Sequence, residues 1–164
     1  MASYNINPAN NSVVYSPGEF NVGNVLTADQ TVTNSATLVT VPSFTIGVGK
    51  FERIIFRINV FYTTTADGDF KYRVDVPASP TLYRMAPELI VPAATAVSTP
   101  GLITAEADGT GLAASGTDGW LRITGMLNNG ANAGEIVFQF AQNTATAAES
   151  AVVRAGSFVE FMQF

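Results

Sequence analysis

The most regular pattern in the chain is an alternation of apolar and polar side chains. Every second position over residues 52–62 is filled mainly by apolar residues, and residues 69–77 repeat the alternation after a segment that contains Asp67-Gly68. A period of two is typical of a strand with one buried face, and Asp-Gly favours a tight turn. The pattern predicts a β-hairpin whose inward residues are Ile54, Phe56, Ile58, Val60, Tyr62, Phe70, Tyr72, Val74 and Val76.

A second hairpin is predicted nearer the C-terminus. Residues 119–127 and 135–142 both have the character of strands, and the Asn- and Gly-rich segment 128–134 between them indicates a long turn. Trp120 and Met126 fall on the face opposite the inward residues, so this sheet is expected to be apolar on both sides. The inward residues of this pair are Leu121, Ile123, Leu127, Ile136, Phe138 and Phe140.

Weaker strand signals complete the set. Residues 37–41 and 44–47 are predicted to form two short strands broken at Pro42, and further strands are predicted over residues 82–85 and 102–107. No segment has a helical period of useful length. Many short strands separated by Gly, Pro and Asn predict an all-β chain, most plausibly a jelly-roll β-sandwich.

The first 25 residues differ from the rest. They are rich in Asn, Ser, Pro and Gly, contain no Lys or Arg, and hold isolated large apolar side chains. A floppy terminus is one interpretation, but disordered tails are usually charged and poor in aromatics. We therefore predict an extended N-terminal arm, residues 1–25, before a sandwich domain, residues 26–164. The arm is expected to dock on a partner through Tyr4, Ile6, Val13, Tyr15 and Phe20.

The last eight residues are apolar on both faces of a predicted strand. Val159 and Phe161 lie on one face, and only Glu160 and Gln163 interrupt the apolar character. Chain ends generally lie at the surface of a monomer, so a terminal strand buried on both sides predicts contact with another subunit. The predicted anchors of that interface are Trp120, Phe158, Met162 and Phe164.

Composition supports an assembled protein. Charged residues make up 13% of the chain, against about 25% in an average soluble domain, and the centres of interfaces are depleted in charge. A monomer with a Thr- and Asn-rich surface is the alternative. The net charge is −5, and the basic residues between 50 and 84 are interleaved with acidic ones, which argues against nucleic-acid binding. No stretch resembles a membrane span or a secretory signal, so synthesis in the cytoplasm is expected.

Candidate chemistry is sparse. The chain has no Cys and no His, which removes thiol chemistry, disulfides, zinc–thiolate sites and the Ser-His-Asp arrangement. Asp67 and Asp69 suit a turn better than a calcium site, Glu106 and Asp108 suit a solvated loop better than a glycosidase pair, and Trp120 suits an interface better than sugar stacking. No catalysis, metal or cofactor is expected.

Four segments resemble tailed-bacteriophage virion proteins. The resemblance extends over about residues 26–164, and its most specific parts are the runs Gln-Phe-Ala-Gln-Asn and Arg-Ala-Gly-Ser. In that group these segments belong to a jelly-roll module similar to the tumour necrosis factor fold, which tends to form trimers. The segments are residues 61–74, 125–134, 138–143 and 153–158.

The resemblance implies a homotrimeric structural protein of the virion. Such modules occur as capsid decoration (cement) proteins and at the ends of tail or head fibres. Fibre proteins are expected to carry long fibre-forming N-terminal regions, whereas the arm here is short. The resemblance therefore implies a cement protein that stabilises the phage head on the outer surface of the capsid, bound to the major capsid protein. The alternative is a tail- or fibre-associated module that recognises a host glycan or protein.

Overall fold

The computed structural model describes residues 21–65, 69–90, 101–105 and 118–164, and the backbone of 5–7, 12–14 and 109–112. These residues form strands and connecting turns, with no helix among them. Hence no helix in the described part is long and apolar enough to span a membrane. The strands are β1 (Asn5–Asn7), β2 (Ser12–Val14), β3 (Asn21–Val25), β4 (Gln30–Thr33), β5 (Val39–Val48), β6 (Arg53–Thr64), β7 (Phe70–Asp75), β8 (Leu82–Ile90), β9 (Gly109–Leu112), β10 (Gly119–Asn128), β11 (Gly134–Gln142), β12 (Ser150–Val153) and β13 (Phe158–Gln163).

Two antiparallel sheets form a jelly-roll β-sandwich. The larger has seven strands, with the order β3-β13-β6-β10-β8 and with β12 joining β4 to β6. The smaller has four strands in the order β5-β11-β7-β9. From β4 to β12 each successive strand lies in the opposite sheet from the one before it. The prediction of an all-β jelly-roll sandwich is confirmed.

Both predicted hairpins are wrong, although their strands exist. β6 pairs with β10, β12 and β13, whereas β7 pairs with β9 and β11 in the other sheet. Likewise β10 and β11 lie in different sheets. The alternation of side chains defines the buried face of a strand but not its neighbour. Consecutive strands of each predicted hairpin therefore lie in different sheets, and packed sheets are roughly 10 Å apart.

The strand predicted to break at Pro42 is continuous. β5 runs through Pro42 at the edge of the smaller sheet, and its pairing with β11 shifts register between Thr40 and Thr45. An edge position tolerates a residue without an N–H, and a bulge leaves that residue outside the ladder. The predicted strand at 82–85 extends to Ile90, whereas 102–107 contributes only a bridge between Ile103 and Met85 within its described part.

The core lies between the sheets and is dominated by aromatic rings. Phe138 packs against Phe44 and Tyr72, with ring centroids 6.0 and 6.2 Å apart. All the predicted inward residues are buried except Val76, which is partly buried against the core. Gly125 lies directly beneath the Phe56 ring, where a Cβ would overlap it. The same core also buries Val41, Phe44, Ile46, Val48, Tyr83, Met85, Val153, Val159 and Phe161.

The predicted arm contains two regions that the structure describes. β1 and β2 pair as an antiparallel hairpin with Ile6 opposite Val13. β3 pairs with β13 and so adds Asn21–Val25 to the edge of the larger sheet. Tyr4, Tyr15 and Phe20 lie outside the described residues.

Replacing Phe138 by Ala is expected to lower the free energy of unfolding by about 3–5 kcal/mol, because the ring is fully buried and its loss leaves a cavity between the sheets. Val137→Ala, on the other face of the same strand, should cost about 1 kcal/mol or less, since that side chain is only half-buried. Urea denaturation of both variants measures the difference. Equal losses would show that the face of β11 is misassigned.

Stability is also expected to fall in alkali. Burial raises the pKa of Tyr72 to about 12, and burial together with the charge of Asp69 raises the pKa of Tyr62 further. An unfolded tyrosine titrates near pH 10. Each raised pKa therefore leaves the fold intact below pH 10 and destabilises it as the pH rises above that value, by about 1 kcal/mol per tyrosine at pH 11.

The measurement is the urea midpoint between pH 8 and pH 11. Tyr72→Phe should make the midpoint fall less steeply above pH 10, because one group that must lose its proton on unfolding has been removed. Identical slopes for the variant and the wild type would show that Tyr72 does not govern the alkaline transition.

Candidate interaction surface

The four residues predicted to anchor an interface lie on one surface. Phe158, Met162 and Trp120 alternate with buried neighbours on β13 and β10 and face away from the core, and Phe164 follows directly after β13. Both strands pair with β6, so their outward side chains share the outer face of the larger sheet. The predicted anchors therefore share one face of the sheet, spread along its length, and their role in an interface stays a prediction.

One end of this face is aromatic. The rings of Trp120 and Phe61, which are register partners, lie 6.0 Å apart between centroids. The guanidinium of Arg122 lies 4.4 Å from the centre of the Trp120 ring and 3.6 Å from the Glu88 carboxylate. The carboxylate and the indole ring both hold the guanidinium in place, so Arg122 covers part of the indole instead of leaving it open.

The other end is aliphatic. Ile55 on the central strand β6 is the register partner of Met126 on one side and Met162 on the other. Met126 is 40% exposed and Phe164 is 60% exposed. Together with Arg53 and Asn128, these side chains other than Met162 line a shallow depression of about 310 Å³. A flexible methionine such as Met126 at the edge of a depression suits contact with another surface.

A polar band separates the two ends. Arg57 lies opposite Thr124 on one side and Glu160 on the other. The next row contains Asn59, which is only 4% exposed although it faces outward. The outer face therefore has an apolar patch at each end and a narrow polar strip between them.

Two hydrogen-bond donors on this face have no acceptor among the described residues. They are Nδ2 of Asn59 and Nε1 of Trp120, and both atoms are buried. Buried donors without partners are uncommon in complete structures. The single chain therefore leaves this surface with unmet hydrogen-bonding capacity beside its aromatic patch.

Phe61 and Ile55 also belong to this surface but were not among its predicted anchors. Both occupy outward positions of β6 and are half-buried. The signal was available, since apolar residues at odd as well as even positions indicate a strand that is covered on both sides. It was obscured because Arg53, Arg57 and Asn59 share the outward face and make the strand look amphipathic.

The remaining predicted positions carry no site in the described chain. Asp67, Glu106 and Asp108 lie outside the described residues. No group of three or more acidic, His or Cys residues that suits a metal is present in the part of the chain that the structure describes. The expectation that the chain has no catalytic activity stays a prediction.

An exposed ion-pair cluster ties the turns at the far end of the sandwich. Arg154 lies 2.8 Å from the Asp29 carboxylate and 3.3 Å from that of Asp118. The Ala155 N–H and the Arg154 side chain hold the pKa of Asp29 below its usual range. Exposed ion pairs contribute little to stability, and this cluster connects the turns that hold Asp29 and Arg154.

Comparison with known proteins yields only distant structural likenesses. No protein-family model matches the chain, and no curated protein is significantly similar to it. Three matching structures come from infectious bursal disease virus: the Gx strain (13% identity, 98% of this chain and 43% of that chain), the Gt strain (12%, 98% and 44%) and the VP2 subviral particle (11%, 99% and 44%).

Each of these three structures gives a TM-score of 0.25. The chain spans less than half the length of the chains it matches. A TM-score of 0.25 is too low to equate two folds, so the function proposed below rests on the chain's own surface and on the phage-like segments.

Proposed function

We propose that this chain is a non-catalytic structural protein of a bacteriophage virion, a homotrimer that decorates and stabilises the capsid. The observation that carries the proposal is the outer face of the larger sheet, where two apolar patches flank a polar strip. A single chain leaves Met126 and Phe164 at the surface of that face. Covering them with another copy removes apolar area from water, which is the main force in subunit association.

The chemistry of the face suits association between copies. Aromatic residues and arginine are the usual energetic centres of protein interfaces. Trp120, Phe61 and Arg122 form such a cluster. A partner copy would also supply acceptors near the unpaired Trp120 and Asn59 donors.

The phage-like segments favour a trimer over a dimer, because the module that they resemble tends to form trimers. The resemblance spans residues 26–164, which include every residue of the two apolar patches. A cyclic trimer uses a heterologous contact, in which one patch of a copy meets a different patch of the next. The face offers two unlike patches, one aromatic and one aliphatic, as such a contact requires.

Light scattering after size exclusion tests the trimer. The wild type is expected at three times the chain mass at micromolar concentration, and Met126→Asp is expected as a monomer, because a carboxylate would be buried in the interface. Val39→Asp is the matched control, since Val39 is also 40% exposed but lies in the smaller sheet. A wild-type monomer, or equal dissociation of both variants, would contradict the proposed face.

The arm is proposed to contact coat subunits through Tyr4, Ile6, Val13, Tyr15 and Phe20. Deletion of residues 2–20 keeps β3, which starts at Asn21 and pairs with β13. The shortened chain is expected to remain a trimer with an unchanged melting temperature but to lose incorporation into particles. Three weak arm contacts on one trimer act together, so removing all three abolishes attachment.

A chain in which residues 2–20 are replaced by Gly and Ser at equal length is the control. It should fail to attach as the deletion does, because the apolar side chains are missing while the length is kept. Full occupancy of either variant on capsids, seen by counting copies in particle images, would show that the sandwich alone makes the contact. A handful of wild-type copies per particle would favour the tail-associated alternative.

A further inference from the structure

Three loops at one end of the sandwich are bonded to each other. We call residues 49–52, 76–81 and 129–133 the tied end. The Asn129 side-chain amide donates to the carbonyl of Gly49 at 2.7 Å and to that of Asn132 at 2.8 Å. The backbone N–H of Phe51 donates to Gly130 at 2.8 Å. The first and third loops are therefore held in one conformation.

The middle loop belongs to the same network. The Thr81 N–H donates to the Asn128 carbonyl at 2.9 Å, and the Asn132 side chain donates to Ala78 at 3.2 Å. Gly130 packs against the Ser79 carbonyl so closely that a Cβ would overlap it. Few surface loops are bonded at so many points, and the tied end is thus pre-organised.

Phe51, in the first loop of the tied end, has an unfavourable backbone conformation and an exposed apolar side chain. Its φ is 59°, a region that bulky residues avoid, and its ring is 72% exposed. Asn or Gly would fit the same backbone with less strain and without placing a ring in water. Ser79, in the neighbouring loop, also has a positive φ, of 60°. Strained residues held by their surroundings cluster at binding sites.

The charges around Phe51 indicate what it meets. Lys50 and Arg53 on either side are exposed, whereas the Glu52 carboxylate accepts the N–H of Gly49. A cationic rim on a chain of net charge −5 favours a partner surface with carboxylates. A second copy is disfavoured, because the tied end and the acidic cluster around Asp29 lie at opposite ends of the sandwich, and joining opposite ends of successive copies would form an open filament instead of a closed ring.

We propose that the tied end is a docking surface for the capsid coat subunit, with Phe51 as an anchor that enters an apolar pocket rimmed by carboxylates. This rests on the proposed function and adds a rigid contact to the arm. Rotation about a trimer axis keeps all three tied ends at the same height, so three Phe51 side chains meet the lattice together. Their contacts add through effective concentration.

The test uses full-length protein and heads of the virus that encodes it, assembled without this chain. Phe51→Asn is expected to bind at least tenfold more weakly than the wild type, and Val39→Ala, which removes an exposed apolar group from the other end of β5, to bind normally. The melting temperature of the Phe51→Asn trimer should stay the same or rise by about 2 °C, because strain is relieved.

Each of the following results would overturn one part of the proposal. A fall of several degrees in melting temperature for Phe51→Asn would make Phe51 a residue that holds the fold, which overturns the docking proposal. Wild-type binding that Phe51→Asn retains in full overturns the docking proposal but leaves capsid decoration standing. Absence of wild-type binding overturns capsid decoration and the docking with it. A Lys50→Glu variant that binds as tightly as the wild type would overturn the acidic rim.

Discussion

The packing of two inner sheet faces around a layer of aromatic rings is the interaction on which the rest of the molecule depends. The chain has no cysteine, and the described residues hold no metal-binding cluster, so apolar burial must hold the sheets together. Phe70 stacks on Phe140 at 5.6 Å and lies 4.6 Å from Tyr62, which joins the two sheets. From β4 to β12 the chain changes sheet at each connection, so strands that follow one another in the sequence do not pair. Such strands face each other across the core, and loss of the aromatic contacts there would leave each strand without support from its neighbours in the sequence.

The same topology explains what sequence reasoning predicted and what it missed. The inward faces of β6, β7, β10 and β11 were predicted correctly, since burial repeats every second residue whatever the neighbour. Pairing was predicted wrongly, because a turn sequence shows that the chain reverses but not whether it stays in its sheet. Ile55 and Phe61 were missed for a related reason. An outward apolar residue forms part of a patch only when apolar residues of the neighbouring strands lie beside it, and the neighbouring strands are set by pairing. The anchors at the C-terminal strand were predictable because that strand is apolar on both faces without reference to any neighbour.

The two sheets differ in the residues on their outer faces, and this difference indicates that the interaction surface lies on the larger sheet. Each sheet buries its inner face against the other, but the larger also carries Trp120, Phe158 and Met162 on its outer face. The described outer positions of the smaller sheet include polar residues such as Lys71, Arg73 and Gln139. Lys71 donates to the Ala36 carbonyl at 2.7 Å, so this cation has a partner within the chain. Among the described residues, the outer face of the larger sheet combines exposed apolar side chains with the unpaired donors of Asn59 and Trp120, and it therefore has much to gain from a partner.

The proposed contacts with the capsid differ in what ordering costs them. An arm that orders on a partner loses conformational entropy on binding, and its contacts must first offset that loss. The tied end loses little, because Asn129, Asn132 and Thr81 already fix its loops in the free chain. The free-energy cost of ordering the tied end is instead incurred on folding, as backbone strain at Phe51 and as exposure of its ring to water. In the proposed attachment, a pre-organised anchor would set the position and orientation of the trimer, and contacts of the arm would add holding strength once that position is set. Apolar contacts of both kinds suit a chain in which charged residues make up only 13%.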